Sequence, residues 1–425
     1  MRSILAVLAL LLAISTQILA QNTRPIVQDE DAQSNWREDL HYLADHMPTI
    51  HPNLFWRVSE ANFDQAIADL DANIPYLTDE QIKVELIRLV ALIDGHTNIF
   101  PFQSAVNFHL YPIRLYWFSD GMYVIESQST DVPVIGKRLV RVGDSPIESL
   151  VEILAPLAQR DNPSTIKLLT PLFLVIPEVL HALGVIDDVN HPHFVFEDQT
   201  VLDLEPQSLG QYTGWSSGGW LTGLPARPTP LYLSHHFDQA FWYTYLDKSK
   251  TLYIQYNLVR RTTQSGQTIT AFAHELSDFV AGTPVDRVVI DIRNNPGGDN
   301  TTYNPFLNFF LNGKGVNGTG KLFVITGRQT FSAAANFTTE LEQKTDAVFV
   351  GEPMGGSPNL YGDVRPIRLP HSGIQADVSA RYWQKSSLDD KRDTIEPDIP
   401  VALSSTDFFE WRDPVLDAIL LTKND

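Results

Sequence analysis

The pattern of apolar positions predicts a helical first part of the chain. Between residues 34 and 93, apolar side chains recur every three or four positions, as they do on helices that bury one face. Three helices are predicted there, with Pro48 and Pro52 ending the first and Gly95 ending the third. We therefore expect a helical N-terminal region over residues 21–104.

The pattern changes to short strands after residue 105. Segments such as "YPIRLYWF" and "GMYVIES" are bounded by Gly and Asp, and "PIESLVEILAPLAQ" is predicted to be a helix. The apolar segment 165–186 fits no element clearly, and residues 205–230 have the Gly, Ser, Trp and Pro content of an ordered loop or linker. Residues 105–235 are therefore predicted to form a mixed middle region.

Strands and helices alternate from about residue 240 onwards. "TLYIQYN", "VDRVVIDIR", "KLFVITG" and "AVFVGEP" are apolar strand segments, and a helical segment follows each of the first three. This alternation predicts an α/β domain over residues 236–425, with a parallel sheet covered on both faces. Ligands of such sheets bind beyond the carboxyl ends of the strands.

Composition and charge narrow the class of protein. The chain has 425 residues, of which 43% are hydrophobic and 19% charged, and its net charge is −20 at pH 7. This length favours two or three globular domains, and the acidic balance argues against nucleic acid and anionic membranes as partners. Because cysteine is absent, disulfides, thiolate catalysis and cysteine-bound metals are excluded.

Residues 1–20 have the pattern of a secretory signal peptide. Arg2 precedes an apolar run, and the small residue Ala20 stands before Gln21. The polar residues 15–17 interrupt the run below the length that spans a membrane. We expect export to the periplasm or the extracellular medium, without stable membrane insertion.

Two strand ends in the α/β domain carry candidate catalytic features. The strand in "VDRVVIDIRNNPGGDN" ends in a permissive backbone, which suits either a plain turn or N–H groups that face a ligand. The strand in "KLFVITGRQTFSAAANF" is followed by Ser332 at the start of a helix, where free N–H groups favour negative charge. Ser332 is therefore a candidate nucleophile, with a plain helix cap as the alternative.

A serine nucleophile needs a base, and His96 differs from most of the twelve histidines in following a helix on an expected turn. A core or surface histidine is the alternative for it. His191 and His193 could bind a metal, but partners at ligand spacing are lacking nearby. "GWSSG" around Ser216 and "STIK" ending at Lys167 lack the neighbouring features that such motifs need, so we interpret both as chance.

Several segments together resemble the catalytic domain of the S41 serine peptidases, the family of the C-terminal-processing and tricorn-core proteases. They are "DIRNNPGG", "GRQTFSAAANF", "GEPMGGSPN" and "IEPDIPV" with "DPVLDAIL", in this order. "DGHTNIF" is similar to the histidine motif of the branch that includes the tricorn core and the repeats of interphotoreceptor retinoid-binding protein. The resemblance covers the last domain well and the helical start weakly.

The resemblance implies a fold and a set of roles. The fold would be an α/β core like the crotonase and Clp-protease spiral, with a helical N-terminal region. Ser332 would be the nucleophile, His96 the general base, and the N–H groups of Gly298 and Ala333 the oxyanion hole. Gly297 would let the backbone approach the substrate. Neither a metal nor an organic cofactor would be needed.

The sequence departs from the family pattern in some places. Segment 351–364 has no Lys, which disfavours a Ser-Lys dyad and favours the histidine branch, and Asn336 stands where Glu is frequent. The third triad member is expected before the "EPD" turn, where spacing favours Asp390. The alternatives there are Asp389, Asp393 and Glu396. Residues 116–154 are faintly similar to a PDZ unit but lack its carboxylate-binding loop, so a scaffold insertion is equally open.

The preferred function is an exported serine peptidase that acts on peptide or protein substrates through an acyl-enzyme. The alternatives are an esterase or amidase for small substrates, and a non-catalytic protein that binds a lipophilic ligand on the same fold. Aromatic residues near the linker would line such a ligand site: Trp215, Trp220, Phe237, Phe241 and Trp242. The sequence leaves the oligomeric state open.

Overall fold

The computed structural model describes residues 28–128, 132–214, 221–222, 229–234 and 239–422. Its helices are α1 (Glu30–Ile50), α2 (Glu60–Asn73), α3 (Asp79–Val90), α4 (Ile147–Leu154), α5 (Pro163–Phe173), α6 (Pro177–Ala182), α7 (Leu209–Gly214), α8 (Ile269–Gly282), α9 (Asn304–Asn312), α10 (Ala333–Lys344), α11 (Ser405–Phe409) and α12 (Pro414–Leu421). In the part of the chain so described, no helix is both long enough and apolar enough to cross a membrane. The predicted signal peptide, residues 1–20, lies outside it.

The strands form three sheets. The strands are β1 (Asn98–Ile99), β2 (Ile113–Phe118), β3 (Gly121–Ser127), β4 (Arg138–Val142), β5 (Ser145–Pro146), β6 (Phe194–Phe196), β7 (Val201–Leu202), β8 (Leu221–Thr222), β9 (Phe241–Leu246), β10 (Thr251–Tyr256), β11 (Arg287–Asp291), β12 (Leu322–Thr326), β13 (Val348–Gly351), β14 (Asn359–Arg368), β15 (Gln375–Gln384) and β16 (Ile399–Pro400). The middle region contributes the order β2-β3-β4-β6-β7, with β5 beside β4 and β8 beside β3.

The central sheet of the last domain has the order β16-β13-β12-β11-β10-β9. All its neighbouring strands are parallel except β9, which pairs with β10 in the antiparallel sense. Every residue of β10, β11 and β12 is buried. The prediction of an α/β fold with a buried parallel sheet is thus confirmed. The loops that begin at Ile292 and Gly327 follow the carboxyl ends of β11 and β12, the edge at which such sheets generally bind ligands.

Two expected helix ends in the N-terminal region are wrong. Helix α1 continues through Pro48 to Ile50, and the His51 N–H closes it on the carbonyl of Met47 at 3.0 Å. A proline in the last turn removes only one helical hydrogen bond there. Helix α3 ends at Val90, and Gly95 has another role: a side chain on it would begin 2.9 Å from the ring of Phe331.

A hydrophobic core joins the helical region to the last domain. Strands β14 and β15 form a hairpin with ten residues in each strand, and β1 pairs with β15. Ile367 and Val378 of this hairpin are buried in the same apolar cluster as Leu43 of α1 and Leu86 of α3. The hairpin therefore fixes the helical region, and with it the turn that carries His96, against the α/β domain.

A buried ion cluster ties the end of β11 to helix α12. Arg293 contacts Asp291 at 2.8 Å and Asp413 at 2.9 Å, and Asp413 also accepts the N–H groups of Val415 and Leu416 at the start of α12. The side chain of Arg293 is only 12% exposed, so solvent screens these contacts little. Without Asp413, Arg293 would keep Asp291 as its carboxylate partner, but helix α12 would lose its cap.

We predict that Asp413→Ala lowers the free energy of unfolding by about 2–4 kcal/mol, because Arg293 loses one of its two carboxylate partners and helix α12 loses its cap. Urea unfolding followed by circular dichroism measures this. Glu410→Ala is the matched control, since Glu410 pairs with Arg412 across side chains that are 58% and 50% exposed. Glu410→Ala should lower the free energy of unfolding by less than about 1 kcal/mol. Equal losses in both variants would contradict the prediction.

Candidate active site

Ser332 has a strained backbone at the start of α10. Its φ is 53° and its ψ is −125°, a conformation that residues other than glycine rarely adopt. Its side chain does not cap α10, and its Oγ makes no hydrogen bond within the described ranges. The alternative reading of Ser332 as a plain N-cap is therefore wrong. Strain of this kind costs about 1–3 kcal/mol and is concentrated at functional sites.

The loop after β11 passes directly beside Ser332. Gly297 and Gly298 have φ values of 110° and 134°, which glycine adopts readily. A Cβ atom on Gly297 would lie 2.6 Å from the Cβ of Ser332, and one on Gly298 would lie 2.1 Å from the carbonyl oxygen of Val259. Close backbone approach therefore requires glycine at both positions.

The side chain of Asn295 organises this loop. Its amide donates to the carbonyl of Tyr256 at 2.8 Å, and its Oδ1 accepts the N–H of Gly297 at 2.9 Å. Its backbone carbonyl accepts the N–H of Phe331 at 3.1 Å. Asn295 thus links three segments, and sequence reasoning missed it. The Asn-Asn-Pro-Gly-Gly run was the available signal, but only its glycines were given a role there.

Two backbone donors next to Ser332 are free for another partner. Over the ranges that the structure covers, the N–H groups of Gly298 and Ala333 donate to no protein atom. Gly297 differs, because its N–H is held by Asn295. Ala333 is the first residue of α10, where the N–H groups and the helix dipole favour negative charge.

The turn that carries Ser332 is anchored on both sides. Thr330 Oγ1 donates to the carbonyl of Ile292 at 2.8 Å, and Arg328 contacts Glu352 at 2.8 Å. Lys167 also pairs with Glu352, at 3.2 Å, which accounts for this residue of the "STIK" segment without a catalytic role. The turn is therefore held in place while the Ser332 Oγ stays free.

His96 lies against the residue that precedes the serine. Its ring stacks on Phe331, with centroids 4.3 Å apart and planes inclined by 22°. A side chain at Gly362 of β14 would begin 3.6 Å from the His96 ring. Neither ring nitrogen has a hydrogen-bond partner among the residues described. The fold thus brings His96 to the serine turn from the N-terminal region, without a hydrogen bond to Ser332.

The acids before the "EPD" turn lie in a loop that packs on α10. Asp390 contacts Arg392 at 2.8 Å, and Arg392 contacts Glu342 of α10 at 2.6 Å. The hydrogen bond from Arg392 lowers the pKa of Asp390, so this carboxyl is ionised at neutral pH. The contacts found for the described residues do not join Asp390 to His96. The three alternative acids are exposed: Asp389, Asp393 and Glu396.

The remaining sequence candidates fall into two groups. Phe241 is 1% exposed and packs on Phe272, with ring centroids 4.8 Å apart, as a core residue would. His191 and His193 pair separately with Asp188 and Asp203. Within the described ranges, no group of three or more His, Asp or Glu side chains is arranged to hold a metal. Four candidates lie outside those ranges: Trp215, Ser216, Trp220 and Phe237.

We predict that Gly298→Ala lowers the free energy of unfolding by at least about 2 kcal/mol, because the new Cβ meets the Val259 carbonyl in a left-handed backbone. Gly282→Ala at the end of α8 is the matched control, since nothing lies within 4 Å of its new Cβ. It should change stability by no more than about 1 kcal/mol. Urea unfolding of both variants and the wild type measures these changes. A Gly298→Ala protein as stable as the wild type would contradict the close contact between Gly298 and the Val259 carbonyl.

Residues 250–401 match peptidase family S41. No curated protein matches the chain. Among solved structures, mature CPAF complexed with lactacystin is 13% identical with a TM-score of 0.62, over 92% of this chain and 98% of that chain. A CPAF mutant is 13% identical with a TM-score of 0.64, over 92% and 97%.

The matches to the CPAF structures show that this chain shares their fold, and the family match covers residues 250–401. A putative peptidase from Parabacteroides merdae is 14% identical with a TM-score of 0.46, over 92% of this chain and 98% of that chain, a likeness too weak to carry an argument. The family match includes the Gly297–Gly298 loop and Ser332, whereas His96 precedes it. Residues 250–401 are therefore similar to the serine-type peptidases of family S41, and this similarity supports a serine-type peptidase.

Proposed function

We propose that the chain hydrolyses peptide bonds through an acyl-enzyme on Ser332. The observation that carries the proposal is the backbone of Ser332, which is strained, leaves Oγ uncapped and stands beside two free N–H donors. A serine that only began a helix would use Oγ as a cap, as Ser59 does for α2 at 3.2 Å from the N–H of Asn62.

Acyl transfer begins with attack on the substrate carbonyl. Ser332 Oγ bonds to the carbonyl carbon while His96 takes the hydroxyl proton. The carbonyl oxygen becomes an oxyanion and accepts hydrogen bonds from the N–H groups of Gly298 and Ala333. His96 then gives its proton to the leaving amine, and the acyl-enzyme forms as the peptide bond breaks. Water, deprotonated by His96, releases the acid and restores Ser332.

The two glycines make this oxyanion site possible. Any side chain at Gly297 would collide with the nucleophile, and any at Gly298 would push the loop off Val259. Asn295 holds Gly297, the residue before the Gly298 donor, and Ala333 is fixed at the start of α10, so the two donors need no rearrangement when the charge develops. Removing one such donor typically costs about 100- to 1000-fold in rate.

Substrate class and location are proposed on separate grounds. The S41 match favours a peptide or protein substrate, although the same chemistry would serve an esterase. The export expected from residues 1–20 stays a prediction, as does the division into domains at residues 104 and 235.

We predict that a fluorophosphonate probe labels the protein, and that Ser332→Ala abolishes labelling, because the phosphorus bonds to Oγ. His96→Ala should slow labelling by about 100-fold or more through loss of the base. Ser59→Ala is the matched control: it removes a serine that caps a helix and should label at the wild-type rate. Folded wild-type protein without labelling would contradict the peptidase and favour the ligand-binding alternative.

The third triad member has its own test, because Asp390 is assigned on sequence spacing alone. As the third triad member, Asp390 would stabilise the imidazolium of His96, and Asp390→Asn should then slow labelling by about 10-fold or more. The exposed neighbour Asp389→Asn is the control and should label normally. A normal rate in Asp390→Asn would remove this residue from the triad and leave the other two assignments standing.

A further inference from the structure

Behind the turn of His96 lies a buried pair that the mechanism above does not use. Asp94 is 0% exposed and His51 is 4% exposed. His51 Nε2 lies 2.8 Å from Asp94 Oδ2. His51 is the residue that follows helix α1.

Asp94 holds the backbone of the His96 turn. Its Oδ1 accepts the N–H groups of His96 at 2.8 Å and of Thr97 at 2.7 Å, and the hydroxyl of Ser379 at 3.0 Å. Ser379 belongs to β15, so one carboxylate oxygen connects the turn to the hairpin that joins the two parts of the molecule. The position of His96 therefore depends on this oxygen.

The contacts of His51 define its tautomer. Its Nδ1 accepts the backbone N–H of Asn53 at 3.0 Å, so the ring proton sits on Nε2 and is donated to Asp94. The ring of Tyr361 packs against His51 with centroids 4.6 Å apart. His51 is thus locked as a single hydrogen-bond donor to a buried carboxylate.

The charge on Asp94 depends on this donor. Burial by itself raises the pKa of Asp94, but the hydrogen bond from His51 and the charge of His96 hold it below its ordinary value. A second carboxylate, Asp161, accepts the N–H of Gly95 at 3.1 Å, and burial raises its pKa. Asp94 is therefore the acid near His96 whose ionised form the surroundings favour.

The other groups packed around His96 carry little compensating charge. Arg57 lies 3.9 Å from Asp161 and pairs with that carboxylate. The hairpin contributes Gly362 and the hydroxyl of Ser379, which are uncharged. Phe331 covers one face of the ring.

We propose that Asp94 and His51 are positioning residues for the base: they fix the His96 turn and keep a buried negative charge beside it. This inference rests on the proposed role of His96. When His96 takes the proton of Ser332, the charge of Asp94 stabilises the imidazolium, and His51 keeps that charge in place.

The test is the pH dependence of fluorophosphonate labelling, expressed per folded molecule by circular dichroism. His51→Leu removes the donor, so Asp94 protonates more readily and His96 loses a neighbouring charge. The labelling plateau should fall about tenfold, and its acidic midpoint should move down by about one pH unit. His51→Gln places an amide N–H near the position of Nε2, so its labelling plateau should lie within about threefold of the wild-type plateau.

Controls separate positioning from folding and from the peptidase proposal. His41→Leu is matched, because His41 lies on the exposed face of α1, the helix that precedes His51, and it should leave the profile unchanged. A His51→Leu protein with the wild-type plateau and midpoint would overturn the inference while leaving Ser332 as the nucleophile. Wild-type protein that is not labelled at Ser332 would overturn both proposals together.

Discussion

The candidate site depends on the close approach of three backbone segments. The Gly297–Gly298 loop lies between Val259 and Ser332, at distances that leave no room for a Cβ atom at either glycine. This contact places the N–H of Gly298 beside the serine and leaves it without a protein partner in the described chain. The cost is a strained φ at Ser332, which the anchored turn around Thr330 maintains.

The proposed base, His96, comes from a different part of the chain than Ser332, so its position depends on long-range packing. The β14–β15 hairpin shares its core with the N-terminal helices, and β1 continues that sheet directly after the His96 turn. Asp94 links the His96 turn to the hairpin, because it accepts hydrogen bonds from the N–H of His96 and from the hydroxyl of Ser379 in β15. Small shifts of the helical region relative to the hairpin would therefore move His96.

The sequence pattern predicted those features that depend on residues close together in the chain. The alternation of apolar strands and helices gave the parallel sheet, and the loop residues at its strand ends gave Ser332 and the two glycines. The hairpin was missed because half of its strand β14 is exposed and because the residues that bury it, such as Leu43 and Leu86, are distant in sequence. Gly95 was read as a helix end, whereas the ring of Phe331, distant in sequence, explains it. The burial of His51 likewise depends on partners distant in sequence.

The most direct test of this account is a crystal structure of the protein after reaction with a fluorophosphonate. The account predicts phosphorus bonded to Ser332 Oγ, with one phosphoryl oxygen about 2.7–3.1 Å from the N–H nitrogens of both Gly298 and Ala333. An adduct on another residue would contradict the assignment of the nucleophile. An adduct on Ser332 whose oxygens all face solvent would contradict the oxyanion site on which the account depends.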